Sequence, residues 1–158
     1  MNRDIVLKDS SNGDSRTCKD DVTLEDVYDA VLIHRSDVEH ALKWFVEDLI
    51  CRSEDHDYDK VSDIDTYGNM VVNGVKDDEF LASEWWHKHI TEQRHHVTNY
   101  CPIDVNLLDI LEMIADRVVA EKGRTGSINT EYLKIDSDIL IRAYWNTVRL
   151  LDDHTKRL

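Results

Sequence analysis

Apolar positions recur at helical spacing along most of this chain. From Leu24 to about Arg52, the residues Val27, Val31, Val38, Leu42, Phe45 and Leu49 fall on one stripe of a helix. Thr23, with Asp26 three residues on, supplies an N-terminal cap. The stripe is expected to face the core. His34 lies in the middle of it and is therefore expected inside; His40 falls opposite, beside Asp29 and Glu47, and is expected in solvent. On this helix alone, a core histidine bonded to a carbonyl explains His34 better than a ligand does.

Residues 53–76 break the pattern and predict a loop-rich insertion, with a turn at Asn73-Gly74 that suits a small hairpin or a cover over a site. A second helix is expected over about 77–93. Its apolar stripe is Ala82, Trp85 and Trp86, with His89 between the tryptophans and His87 on the other side. Cys101-Pro102 interrupts the chain, and Asp104 is the expected cap of a helix over about 105–121. That helix is apolar around most of its circumference, which predicts burial. The exception is a strip of Asp109, Glu112 and Asp116, which faces either solvent or a cation. Residues 123–127 form a turn without the Lys-Ser/Thr ending of a P-loop. A last helix over about 137–152 buries Ile139, Leu140, Ala143, Tyr144, Val148 and Leu151. The organisation read from the pattern is a polar extension (1–22), one all-α domain (23–152) and a frayed tail (153–158).

Composition narrows the class. Five glycines and one proline leave few obligatory turns, which favours helices over a sandwich or barrel. A net charge of -14 argues against nucleic-acid binding by a broad basic face. The three cysteines, Cys18, Cys51 and Cys101, are widely spaced with no CxxC, as in reduced thiols of a cytoplasmic protein. No apolar run approaches the ~18 residues of a membrane span, and the first residues lack the apolar core of a signal peptide.

The candidate chemistry lies in histidines and acids. His56 and Asp57 are adjacent at a helix boundary, where both side chains can converge on one ion. Imidazole nitrogen with carboxylate oxygen suits Mn, Fe, Co, Ni or Zn better than Ca. His89, His95 and His96 lie within eight residues. The order His34, His56-Asp57, His89, His95-His96, Asp116 resembles the HD-domain superfamily of metal-dependent phosphohydrolases. It is closest to small bacterial and phage HD-like proteins. In that pattern a first His is followed four residues on by Val (His34, Val38), and the doublet is followed by Ser-Lys, here Asp59-Lys60 after Tyr58. A His then precedes a His pair by six and seven residues (His89, His95, His96). Glu-Met-x-x-Asp closes the set (Glu112, Met113, Asp116). An Asn-Pro before the His pair is replaced by Gln93-Arg94.

The resemblance covers about residues 24–121. It implies an HD-like helical bundle in which His34, His56, Asp57 and Asp116 bind a divalent metal (Mn, Fe, Co, Ni, Zn or Mg). His89 is then expected at a second metal or at substrate. Asp57, Lys60, His95 and His96 are expected at the reacting phosphorus, His95 or His96 as a protonated cation. Lys60, Arg94 and His89 are expected to contact the substrate phosphate. The implied substrate is a small phosphate ester or anhydride, a nucleotide above all. The alternative is an inactive HD-like module that binds a nucleotide or a protein partner.

Overall fold

The computed structural model describes residues 4–18 and 20–157, apart from the side chain of Tyr132, and the chain is mostly helical. The helices are α1 (Leu24–Asp55), α2 (Tyr58–Ser62), α3 (Ile64–Val72), α4 (Asp77–Leu81), α5 (Glu84–Glu92), α6 (Leu107–Thr125) and α7 (Ser137–Asp153). A 3-10 turn spans Thr130–Leu133, and two short strands are β1 (Ile5–Leu7) and β2 (Thr155–Arg157). Among the described residues no helix is long and apolar enough to cross a membrane. The chain divides into two compact units: residues 1–48 with 148–158, and residues 49–147.

In the first unit, β1 pairs in parallel with β2, Ile5 opposite Thr155 and Leu7 opposite Arg157. The expected polar extension and frayed tail are thus partners. Three apolar residues are too few to show a period, and their partner is distant in sequence, so the pattern could not reveal the pairing. The arm continues through Gly13, where a Cβ would lie 2.0 Å from the Asp26 carbonyl oxygen and 2.8 Å from Ala30 Cβ. Glycine is required by that close approach. The predicted cap is present: Asp26 N donates to Thr23 Oγ1, and Thr23 N donates to the Asp26 carboxylate.

Helix α1 is turned about one residue from the expected phase. Its buried residues are Ala30 and Trp44, with Ile33, Asp37 and Ala41 half-buried along the same face. Val27, Val31, Val38 and Leu42 are exposed. The contact face accepts a close-packed chain at Gly13, so it carries small residues, and the larger aliphatics fall one row away.

In the second unit, the core is Val97, Val105, Ile110, Met113 and Ala143, with Cys101, Leu107, Ile135 and Ile139 against it. Helix α6 is capped by Asn106, not Asp104. The Asn106 side chain accepts from Leu108 N and Asp109 N, and Asp109 answers to the Asn106 N–H. Only Leu108, Asp109, Ile110 and Met113 of α6 are buried, so the expected near-complete burial is not found. Thr147 Oγ1 of α7 accepts from Leu107 N at 2.8 Å, and Asn146 donates to the Val105 carbonyl at 2.9 Å. These bonds fix the start of α6, which carries the acidic strip.

The insertion at 53–76 is helical rather than loop-rich. Gly74 adopts a left-handed φ of 65° just beyond α3, a helix end and not a hairpin. The expected 77–93 helix is interrupted because Ser83 caps a new one, its Oγ accepting from Trp86 N. Tyr67, Phe80, Trp85 and Trp86 then cluster, with Tyr67 stacked on Trp85 at 4.8 Å between centroids. The C-terminal end of α1 meets α6 through an ion pair from Arg52 to Asp109.

Candidate metal centre

The acidic strip of α6 emerges at the end of α1, the start of α2 and the segment after α5. Spacing of three and four residues puts Asp109, Glu112 and Asp116 on one face, and their side chains grade outward from 0% to 13% to 27% exposure. Asp109 is the buried anchor. It accepts from Arg52 Nη1 at 2.6 Å, from Arg94 Nε at 2.9 Å and Nη2 at 2.8 Å, and from Asn106 N at 2.9 Å. A forked guanidinium on a buried carboxylate is a strong structural pair. Arg94, expected at substrate, is therefore spent on Asp109 and, through Nη1, on Asp104 at 3.1 Å. The same acids hold its own pKa above the usual arginine value.

Glu112 stands behind two histidines. Its Oε1 lies 3.0 Å from His56 Nδ1 and 3.2 Å from His95 Nδ1, the latter outside hydrogen-bond alignment. Burial would raise the Glu112 pKa, but the two imidazoles and Arg52 outweigh it and hold the carboxyl below its usual range. With their Nδ1 atoms on Glu112, both rings turn Nε2 forward. His56 Nε2 lies 3.6 Å from Asp57 Oδ2 and 3.6 Å from Asp116 Oδ1. His95 Nε2 lies 3.5 Å from Asp57 Oδ1. His89 repeats the arrangement with a different carboxylate: Nδ1 is 2.6 Å from Asp59 Oδ2, and Nε2 is 3.5 Å from Asp57 Oδ1. Its ring is stacked on Trp85 and is fully buried.

Asp57 is the hinge of the set. Its φ of 54° makes it the one non-glycine with positive φ among the described residues. Aspartate tolerates that region better than most residues. The turn presents Oδ2 toward His56 and Oδ1 toward His89 and His95. Lys60 Nζ donates to Oδ2 at 2.5 Å. Burial would raise the Asp57 pKa, and Lys60, His56 and His95 together bring it below the usual carboxylate value.

His96 completes the cluster, with Nε2 2.7 Å from His89 Nε2. Asp59 draws the His89 proton to Nδ1, so His89 Nε2 accepts and His96 donates. Burial first, then the neighbouring His95 and His89, push the His96 pKa down to about 3. That direction keeps His96 neutral at pH 7, and so does not favour it as the cation of the expected His95 or His96 pair. Burial, against the pull of Asp59, also lowers the His89 pKa.

Among the described residues, three sets each bring their ligand atoms within 4.8 Å of one another: Asp57, His89, His95 and His96; His56, His95 and Glu112; His56, Asp57 and Asp116. The first and third fit a cation best. Tetrahedral ligands at ~2.1 Å from an ion stand roughly 3.4 Å apart, close to the 3.5 and 3.6 Å found around Asp57. Asp57 Oδ1 and His95 Nε2 are also buried without a hydrogen-bond partner, a costly arrangement that a shared cation relieves. The middle set is better read as Glu112 orienting two imidazoles, as carboxylates do behind metal-bound histidines.

The expected residues His56, Asp57, Asp116, His89, His95, His96 and Lys60 meet here. His34 does not: it is exposed on α1 in the other unit and belongs to none of the three sets. Its assignment to the core followed the α1 stripe, and its neighbours there, Val31 and Val38, are exposed. Glu112, Asp59 and Arg52 were not singled out as site residues. Glu112 was visible as a member of the acidic strip and Asp59 as part of the motif after the doublet, whereas nothing in the pattern marks Arg52.

The centre opens on one side into a polar cleft of about 800 Å³, reached by Lys60, Trp86, His95, His96 and Asp116 and bordered by Arg117, Arg124 and Lys134. On the other side lies an apolar groove of about 550 Å³, which shares His56, Glu112 and Asp116.

A family model described as a family of unknown function (DUF5662) matches residues 23–149. The chain belongs to that family. No curated protein and no solved structure matches it.

Proposed function

We propose that this member of the DUF5662 family is a metal-dependent phosphohydrolase acting on a small phosphate ester or anhydride. The observation that carries the reading is Asp57, whose two carboxylate oxygens are directed to two different sets of imidazole nitrogens, each backed by a carboxylate. His56, Asp57 and Asp116 would hold one ion, and Asp57, His89, His95 and His96 would hold a second. Nitrogen and oxygen donors in these proportions favour Mn, Fe, Co, Ni or Zn. When bound, such an ion lowers the pKa of water to near neutrality and polarises a phosphoryl oxygen.

The chain's own groups supply the remainder. Glu112 fixes ring orientation at His56, and Asp59 at His89. Lys60, on the cleft wall, is placed to neutralise charge that grows on phosphoryl oxygens. The cleft where an anionic substrate would enter is lined by charges of both signs: Arg124 pairs with Glu121 and Lys134 with Glu131, and Arg117 adds a further cation. The ordered His56-Asp57 and Asp116 support the HD-like reading, and a nucleotide, which that resemblance implies, is one member of the substrate class. The test is metal analysis of the purified protein, followed by hydrolysis of p-nitrophenyl phosphate and of a nucleotide panel with added Mn, Co or Mg. Bound metal with turnover lost in Asp57→Asn supports the reading. A metal-free protein that neither binds nor responds to these ions overturns it.

A further inference from the structure

We infer that the substrate of this centre carries an apolar alcohol group, which lies in the groove beside His56 and Asp116. The inference rests on the phosphohydrolase reading and narrows its substrate. Leu49 at the end of α1 and Leu111, Ala115 and Val119 on α6 line the groove. The three α6 residues recur every four positions, so they form one continuous aliphatic row. The row ends at the metal centre: His56, Glu112 and Asp116 are walls of both. An ion held by His56, Asp57 and Asp116 would bind the phosphoryl group beside the mouth of this groove.

The chemistry of the walls selects against a nucleoside. Arg52 is committed to Asp109 and Glu112, Glu112 to His56, and Ser53 Oγ to the Ile50 carbonyl. A base edge or ribose hydroxyl entering here would lose water without gaining partners, at a cost that polar groups carry on burial. An alkyl or aryl group gains by the same transfer. The polar cleft across Asp116, with Lys60, Arg117, Arg124 and Lys134, has the opposite character. The centre therefore lies between a polar, charged side and an apolar side, and a phosphate ester with an apolar leaving group matches both. The volume, about 550 Å³, is within the range that holds small organic ligands.

The experiment measures binding of methyl-, butyl- and hexylphosphonate to the Mn-loaded full chain by calorimetry, with adenosine monophosphate alongside. Phosphonates are not hydrolysed, so the result does not depend on turnover. Affinity should rise about two- to fourfold per added methylene. Leu111→Asp and Val119→Asp, both at exposed positions, should flatten that rise. Methylphosphonate binding without a chain-length dependence, or a dependence that survives both substitutions, overturns the inference and leaves the metal site standing. Adenosine monophosphate binding tighter than hexylphosphonate, with Leu111→Asp indifferent, also overturns it in favour of a nucleotide. Self-association of the wild type that Leu111→Asp abolishes assigns the groove to a second copy instead. Failure of every phosphonate to bind, with no hydrolysis of p-nitrophenyl phosphate, removes the phosphohydrolase reading and the inference together.

Discussion

Asp59 separates a metal centre from a chance gathering of histidines. His89 is fully buried, and Asp59 Oδ2 at 2.6 Å is the partner of its Nδ1. Asp59→Ala leaves that N–H buried without an acceptor, which costs about 1–3 kcal/mol in the metal-free protein. The second effect appears only with metal. Loss of a carboxylate behind a histidine ligand lowers metal affinity by roughly 10- to 100-fold. At saturating Mn that removes about 1.4–2.7 kcal/mol of metal-linked stability. The Mn-induced rise in Tm should then shrink by roughly 3–11 °C for a chain of this size. Asp59→Asn keeps an acceptor oxygen but not the charge, so it should recover most of the metal-free stability and little of the Mn response. His87→Ala, on the exposed side of the same helix, is the control. The assay is thermal unfolding with chelator and with a Mn titration, paired with calorimetric Mn binding. An Asp59→Ala protein whose Mn shift equals that of the wild type would refute the role of His89 as a ligand.

Asp116→Asn should weaken Mn binding by more than about tenfold, while His34→Ala and His40→Ala should leave it unchanged; calorimetry reads all three, and a loss in His34→Ala would restore that residue to the site. Arg94→Lys breaks the fork on Asp109 and should cost about 2 kcal/mol in urea unfolding, without changing the KM for any phosphate ester the protein hydrolyses; a raised KM with unaltered stability would return Arg94 to the substrate. In the metal-free protein, His96 is held neutral down to about 3, against an ordinary value of 6.5. The unfolded chain thus binds a proton there first. Stability is complete above about 6.5 and is lost as pH falls through the window toward 3, by up to about 1.4 kcal/mol per pH unit. His96→Asn should make that decline shallower in urea titrations, and an identical pH profile would contradict the assignment.

The helices and the ligand types were legible because both depend on short spacing. Asp109, Glu112 and Asp116 share a face by helical period alone, and Thr23 with Asp26 forms its cap within one turn. What was not legible depends on distant or irregular contacts. The α1 stripe was read from its large aliphatics, yet burial went to Ala30, Ala41 and Trp44 on the adjoining row. Apolar side chains commonly remain on the surface, so an aliphatic row is a weak guide to the buried face. The error in His34 follows directly, since its inward orientation was inferred from Val31 and Val38, both exposed. Arg94 is expected at the substrate phosphate because no acid stands three or four residues from it to mark it as paired. Its partner, Asp109, lies fifteen residues on in α6.

The same distinction explains why Asp57 is the best-supported member of the site. A ligand placed by regular structure can be displaced by a one-residue change of phase, as His34 was. Asp57 is placed by a left-handed turn between two helices, where the Lys60 N–H closes on the Asp57 carbonyl at 2.9 Å and Gln93 meets the Asp57 N–H at 3.4 Å. Positive φ at a non-glycine residue carries a conformational cost, and a glycine there would relieve it. Glycine, however, has no carboxylate to direct one oxygen at His56 and the other at His89 and His95. A strained backbone retained where relief is one residue type away is better explained by what the side chain holds than by the stability of the fold.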